Sequence, residues 1–134
     1  MNEVLMSEIE YGEDGLYRLG NAPFSGVAYS MENGFRDVEI SYLDGMRFGP
    51  TREWYKPGTL ALEEMYYRDA LHGRARSWHD NGQIAKEGKY EYGIAIWEKS
   101  WDEIGSLQES YLLKEGSSEY KLLQRLRDLH NQKE

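Results

Sequence analysis

The chain has 134 residues, the length of one domain, and sets 24 Asp and Glu against 16 Lys and Arg for a formal charge of −8. That balance argues against a nucleic-acid surface, which needs clustered basic residues, and against anionic membranes; it favours a basic protein partner. With no Cys there are no disulfides, thiolate metal sites or cysteine catalysis. No apolar run approaches the roughly 20 residues of a membrane helix, and the start, Met1-Asn2-Glu3-Val4-Leu5, lacks a basic and apolar leader pattern, so the expectation is a cytoplasmic protein.

Residues 1–15 are acidic and mixed, and the pattern assigns them no element. From there a repeat governs the chain. Gly34, Gly58, Gly82 and Gly105 are spaced by 24, 24 and 23 residues. Trp54, Trp78 and Trp101 each precede one of these glycines by four residues. Glu39, Glu63 and Glu87 follow by five, and Tyr42, Tyr66 and Tyr90 by eight. A shared period of this length marks a repeat architecture built from one supersecondary unit. The glycines sit in turn signals: Asn33-Gly34, Pro57-Gly58, Asn81-Gly82, with Asp44-Gly45 at the opposite end of the unit. Pro57-Gly58 suits the centre of a type II turn, where Pro presets φ and Gly supplies φ > 0. The flanks are rich in Trp, Tyr, Thr, Val and Ile, which favour strands. Strands are predicted over 24–30, 35–43, 50–56, 60–68, 74–79, 83–91, 95–101 and 106–113, joined as hairpins into an open, twisted antiparallel meander.

The turn at Pro57-Gly58 also fixes a register. Lys56 then faces Thr59, Trp54 faces Ala61 and Arg52 faces Glu63. The same count on the next unit sets Trp78 against Ala85 and Arg76 against Glu87. Opposite charges in one cross-strand column contribute about 0.2–1 kcal/mol per pair. At the end of the chain, Leu122, Leu126 and Leu129 recur at helical spacing after Ser117 and Ser118, which suit an N-cap. One amphipathic helix is predicted over 118–131 with these three leucines turned inward. The fold class is therefore mainly β, a single domain over 1–134: hairpin repeats over about 11–113 and one C-terminal α-helix.

The stretch Gly20-Asn21-Ala22-Pro23-Phe24-Ser25-Gly26, followed by Glu32-Asn33-Gly34, Tyr42-Leu43-Asp44-Gly45 and Gly73-Arg74-Ala75-Arg76-Ser77-Trp78-His79-Asp80-Asn81-Gly82, resembles the MORN-variant repeat. More narrowly, it is similar to the YwqK-type antitoxin family of bacteria. The resemblance implies a repeat β-sheet protein acting as an immunity partner of a toxin encoded beside it. Ala70 and Leu71 depart from the pattern, standing where a turn glycine is usual, and extra residues separate Gly93 from Trp101.

The side chains that carry chemistry are dispersed. His72, His79 and His130 have no clustered companions, so no metal or cofactor is expected. No Gly-x-Ser-x-Gly elbow occurs, and Glu63-Glu64 on a strand point to opposite faces. The glutamate column reads as scaffold paired to Arg52 and Arg76, and Trp54, Trp78 and Trp101 read as core on one sheet face. Tyr67, Asp69, Glu91 and Tyr92 occupy matching ends of successive units and read as an exposed tyrosine and acid surface for a partner. The expected function is a non-enzymatic antitoxin that covers the active-site cleft of a basic cognate toxin. The alternative is a scaffolding repeat module that associates with proteins or with itself through an open sheet edge.

Overall fold

The computed structural model describes residues 2–133. It contains twelve strands and one α-helix, and the sheet is open and mostly antiparallel, as the repeat predicts. The repeat forms eight long strands: β5 (Gly26–Glu32), β6 (Phe35–Leu43), β7 (Met46–Lys56), β8 (Thr59–Tyr67), β9 (Ala70–Trp78), β10 (Ile84–Glu91), β11 (Ile94–Trp101) and β12 (Leu107–Leu112). They pair with their sequence neighbours in chain order. Before them come β1 (Glu3–Leu5), a 3-10 turn (Met6–Glu8), β2 (Ile9–Tyr11), β3 (Tyr17–Leu19) and β4 (Ala22–Pro23). β1 joins the main sheet parallel to β5, whereas β2, β3 and β4 form a separate three-stranded sheet. After β12 comes α1 (Ser118–Lys133), two residues longer at its C-terminal end than the leucine pattern indicates.

The tight turns explain the regular pairing. Asn33-Gly34, Asp44-Gly45 and Tyr92-Gly93 each have φ > 0 at both central residues, the type I′ geometry that matches strand twist. Arg68-Asp69 has the same geometry without a glycine, at φ 49° and 69°. The chain therefore turns at residues 68–69 and β9 begins at Ala70, four residues before the strand predicted from 74. Gly58 at φ 79° follows Pro57, as the type II assignment requires.

The Arg52–Glu63 and Arg76–Glu87 registers hold. The tryptophan positions differ: Trp54 lies opposite Leu60 and Trp78 opposite Ile84. Ala61 and Ala85 are the extra residues of β-bulges, and Asp37 and Gln108 occupy the same place in the first and last units. A bulge beside each turn adds local twist and displaces the pairing by one residue, which a plain count outward from the turn misses.

Register defines what each face carries. One face presents the row Glu39, Arg52, Glu63, Arg76, Glu87 and Lys99, each residue directly opposite the next. Signs alternate along the row, so this ladder face is balanced. Arg52 Nε donates to Glu63 at 2.8 Å and Arg76 Nη2 reaches the same carboxylate at 3.3 Å. Glu87 is met instead by Arg74, at 3.8 Å. Hydrogen bonding from Arg52, reinforced by its charge and by Arg76, holds the Glu63 carboxyl below its ordinary range. Trp54, Trp78 and Trp101 lie on this face beside the ladder, half-buried and outside the buried core cluster.

The opposite face carries the row Val4, Ala28, Ile40, Thr51, Glu64, Ala75, Gly88, Glu98 and Tyr111. Its first part is apolar and covered. Phe24, Ala28 and Tyr42 form the buried cluster, with Val4, Met6, Ile9, Tyr17 and Ile40 packed on it. The N-terminal segment is thus a second layer over β5 and β6, giving a sheet face the partner it needs to exclude water. Burial pushes the Tyr42 hydroxyl up to about 12.

Candidate functional site

Hydrogen-bond latches tie successive units together at both ends. On the side of the Asp44-Gly45 turn, the amides of Gly45, Asp69 and Gly93 donate to the carbonyls of Phe24, Arg47 and Leu71, at 2.8, 3.0 and 2.8 Å. On the other side, Tyr55 Oη donates to the Trp78 carbonyl at 2.6 Å and His79 Nε2 to that of Trp101 at 2.9 Å. Tyr55 and His79 are one repeat apart, so His79 is a stacking element of the scaffold.

The four residues expected to meet a partner lie at the first of these ends, and they are occupied within the chain. Asp69 Oδ1 accepts the Arg47 amide at 2.8 Å and faces the Arg47 guanidinium at 3.4 Å. Glu91 accepts two bonds from Arg127 of α1, at 2.9 and 2.6 Å. That pairing holds Glu91 below the ordinary carboxylate range and raises Arg127. Tyr92 stacks on His130 of α1, ring centroids 4.3 Å apart, and Tyr67 meets His130 at 5.5 Å and Tyr92 at 6.2 Å. All four are half-buried. The expectation of an exposed, solvated surface is corrected: Tyr67, Glu91 and Tyr92 are the dock for α1, and Asp69 is a latch.

The helix docks on a face other than the leucine stripe. Leu123 is buried, and Tyr120, Leu126, Arg127 and His130 are partly covered, whereas Leu122 and Leu129 are about half exposed. Ser117 Oγ accepts the Tyr120 amide at 3.2 Å as the N-cap. Hydrophobic spacing alone selected the wrong arc, because the contacts that seat α1 are an ion pair and ring stacking as well as a leucine.

The groove face changes character beyond Thr51. Thr51 itself is buried, and its Oγ1 has no hydrogen-bond partner. From β8 to β12 no second layer covers this face among the described residues, and a groove of about 380 Å³ opens, its lining including Leu62, Glu64, Arg76, Lys86, Tyr90 and Glu98. Tyr66 Oη donates to Glu64 at 3.1 Å, and Tyr90 Oη makes a short hydrogen bond to Glu98. The Tyr90 ring lies over Gly88: a Cβ there would stand 3.0 Å from the ring and 2.9 Å from the hydroxyl. Burial raises both tyrosine hydroxyls, with the carboxylate charges adding to the effect; Tyr90 feels both Glu98 and Glu64. The phenols therefore stay protonated and act as fixed donors that hold the carboxylates in place.

The adjoining row on this face is Val38, Glu53, Leu62, Ser77, Lys86, Ser100 and Glu109. Across both rows Glu53, Glu64, Glu98 and Glu109 stand against Lys86, which lies 3.5 Å from Glu98. Glu53, Glu64 and Glu109 have no ion-pair partner among the described residues. The sequence held the signal, since Glu64 and Glu98 lie in β-rich flanks, but the bulges that decide which carboxylates share a face are not visible in it. Chemically, such a surface offers oriented carboxylates and tyrosines to Lys or Arg side chains.

No group of three or more His, Asp or Glu is arranged to hold a metal among the described residues, and no helix there is long and apolar enough to cross a membrane. No protein-family model and no curated protein matches the chain. Among solved structures, the accessory secretory protein 1, 2 and 3 of Streptococcus pneumoniae aligns at 18% identity with a TM-score of 0.36. The alignment covers 84% of this chain and 20% of that one, a likeness too slight to carry an argument.

Proposed function

We propose that this chain is a non-catalytic protein-binding antitoxin, which neutralises a basic cognate toxin by laying its groove face over the toxin's substrate cleft. The observation that carries the reading is the difference between the two faces. The ladder face balances its charges, whereas the groove face concentrates carboxylates on an uncovered surface. A cleft that binds phosphates is lined by Lys and Arg, and spaced carboxylates can take the place of the phosphates there. Charge speeds capture, and Tyr111 and Leu62 supply apolar contact area. The resemblance to YwqK-type repeats supports the same class.

The test is co-expression with the product of the neighbouring gene in a sensitive host. Wild type should restore growth, and Glu64→Lys with Glu98→Lys should abolish rescue while circular dichroism stays native, with a lower melting temperature from the lost Tyr66 and Tyr90 hydrogen bonds. Rescue that survives the double change removes the groove from the account, and a neighbour that is harmless alone removes the antitoxin reading for that pair. A scaffolding repeat module is the second reading, favoured by β12, whose six residues are all exposed.

A further inference from the structure

The sheet ends at β12, and nothing among the described residues pairs with its outer edge. Leu107, Tyr111 and Leu112 are 55%, 41% and 73% exposed there. The hydrogen-bond pattern says which groups point outward. The Leu113 amide donates to the Ile96 carbonyl at 2.8 Å, and Tyr111 pairs with Glu98 two residues along. In an antiparallel ladder, bonded and non-bonded pairs alternate, so Glu109 and Tyr111 spend their backbone groups on β11. Ser110 and Leu112 therefore aim N–H and C=O away from the sheet. An edge of this kind is complemented by one thing, an extended strand.

We propose that a second copy of this chain supplies that strand, β12 pairing antiparallel with β12 about Ser110. Three observations choose the second copy and the register. Only even-numbered residues point outward, so a two-fold pairing must centre on a residue rather than between two. Centring on Glu109 would set the strand's one charge against itself across the closest kind of pair. Centring on Tyr111 would leave little of the strand paired. Centring on Ser110 overlaps residues 108–112 and places Glu109 opposite the second copy's Tyr111, with no like charges facing. The edge carries few of the features that block such pairing: no Lys and no Pro, and its bulge sits at Gln108, at the very end of the paired segment. The result is an isologous dimer with one continuous sheet. Its groove faces meet at the dyad, since Tyr111 and Glu109 lie on that face. The inference goes beyond the antitoxin reading and does not depend on it.

The experiment is sedimentation velocity of the full chain from about 1 µM to about 500 µM, where a dimer shows as a concentration-dependent rise in sedimentation coefficient. Ser110→Pro removes an outward N–H and leaves the bonds to β11 in place, so it should weaken dimerisation about tenfold or more with an unchanged melting temperature. Leu112→Lys serves as a second edge variant should the proline disturb the fold, and is expected to act in the same direction. Amide exchange gives an independent reading: Ser110 and Leu112 should gain protection as concentration rises. A chain that stays monomeric throughout overturns the proposal, and so does a dimer that both variants leave intact. Failure of the rescue experiment leaves this result untouched, and the converse also holds.

Discussion

The two halves of the sheet share one repeat and put the same row to opposite uses. In β5 and β6 the row runs through Ala28 and Ile40 under the N-terminal segment, and Thr51 of β7 ends this stretch buried. In β8 to β12 it continues as Glu64, Ala75, Gly88, Glu98 and Tyr111 and is open. Turns, bulges and latches set the register in both halves, so each residue along the row is free to be apolar or charged. Apolar residues recruit a second layer; carboxylates keep one away, because burying them unpaired costs several kcal/mol. The tyrosine column follows the same division. Tyr42 is packed in the core, whereas Tyr66 and Tyr90 brace carboxylates.

The largest expected effect separates the halves by stability. Phe24→Ala opens a cavity in the two-layer half and should cost about 3–5 kcal/mol, read as a lower midpoint in urea. Leu123→Ala, the buried residue of α1, should act locally: helix amides lose exchange protection while those of β5 and β6 keep theirs. Equal loss of protection in both places would merge the two regions into one cooperative unit and break the comparison.

Acid should act on the helix dock. Glu91 has its folded pKa depressed below 4.5 by Arg127, so its contribution is full above that unfolded value and is lost as pH falls through the folded one. Glu63 behaves in the same sense on the ladder face. Helix undocking, followed by tryptophan and tyrosine fluorescence, should therefore accompany a fall in stability on the acid side, and Glu91→Gln should flatten that dependence. A pH profile unchanged by Glu91→Gln would show that the ion pair does not seat α1.

Asp69 offers a finer comparison with Gly45 and Gly93, which hold the same turn place in neighbouring units. Its φ of 69° is costly for a residue with a Cβ, and its carboxylate compensates by accepting the Arg47 amide. Asp69→Ala keeps the strain and removes the bond, an expected loss of about 1–2 kcal/mol. Asp69→Gly relieves the strain as it removes the bond and should lie within about 0.5 kcal/mol of wild type. Equal costs for the two would show that backbone strain is not the deciding term. The smallest effect is at the join between the halves, where Thr51→Val removes a buried unpartnered hydroxyl and should be neutral or stabilising by up to about 1 kcal/mol in thermal melts.

Much of this fold was legible because turn residues punctuate it at a fixed period. Asn33-Gly34, Asp44-Gly45 and Pro57-Gly58 announce hairpins by φ requirements that few residues meet. What stayed hidden depends on tertiary contacts. Arg68-Asp69 makes the same turn without the glycine signal, held by a latch to Arg47. β2, β3 and β4 are three residues or fewer, too short for alternation to register. The seating of α1 followed Glu91, Tyr92 and Tyr67 instead of leucine spacing, so residues that read as a free binding surface are internal contacts. The groove depends on the bulge at Ile96 in β11, which brings Glu98 opposite Gly88 without any strong residue signal.

The account's central claim is that the open half of the groove face binds the partner. The most direct measurement compares two variants of equal net charge by stopped-flow association with the neighbouring gene product: Glu64→Lys with Glu98→Lys, and Glu10→Lys with Glu103→Lys. Glu10 lies on β2 and Glu103 in the turn before β12, both exposed and away from the groove. The account predicts that the groove pair slows association by about tenfold or more, that the control pair changes it little, and that the wild-type rate falls as salt rises. Equal slowing by both pairs, or an unchanged rate for the groove pair, would contradict it.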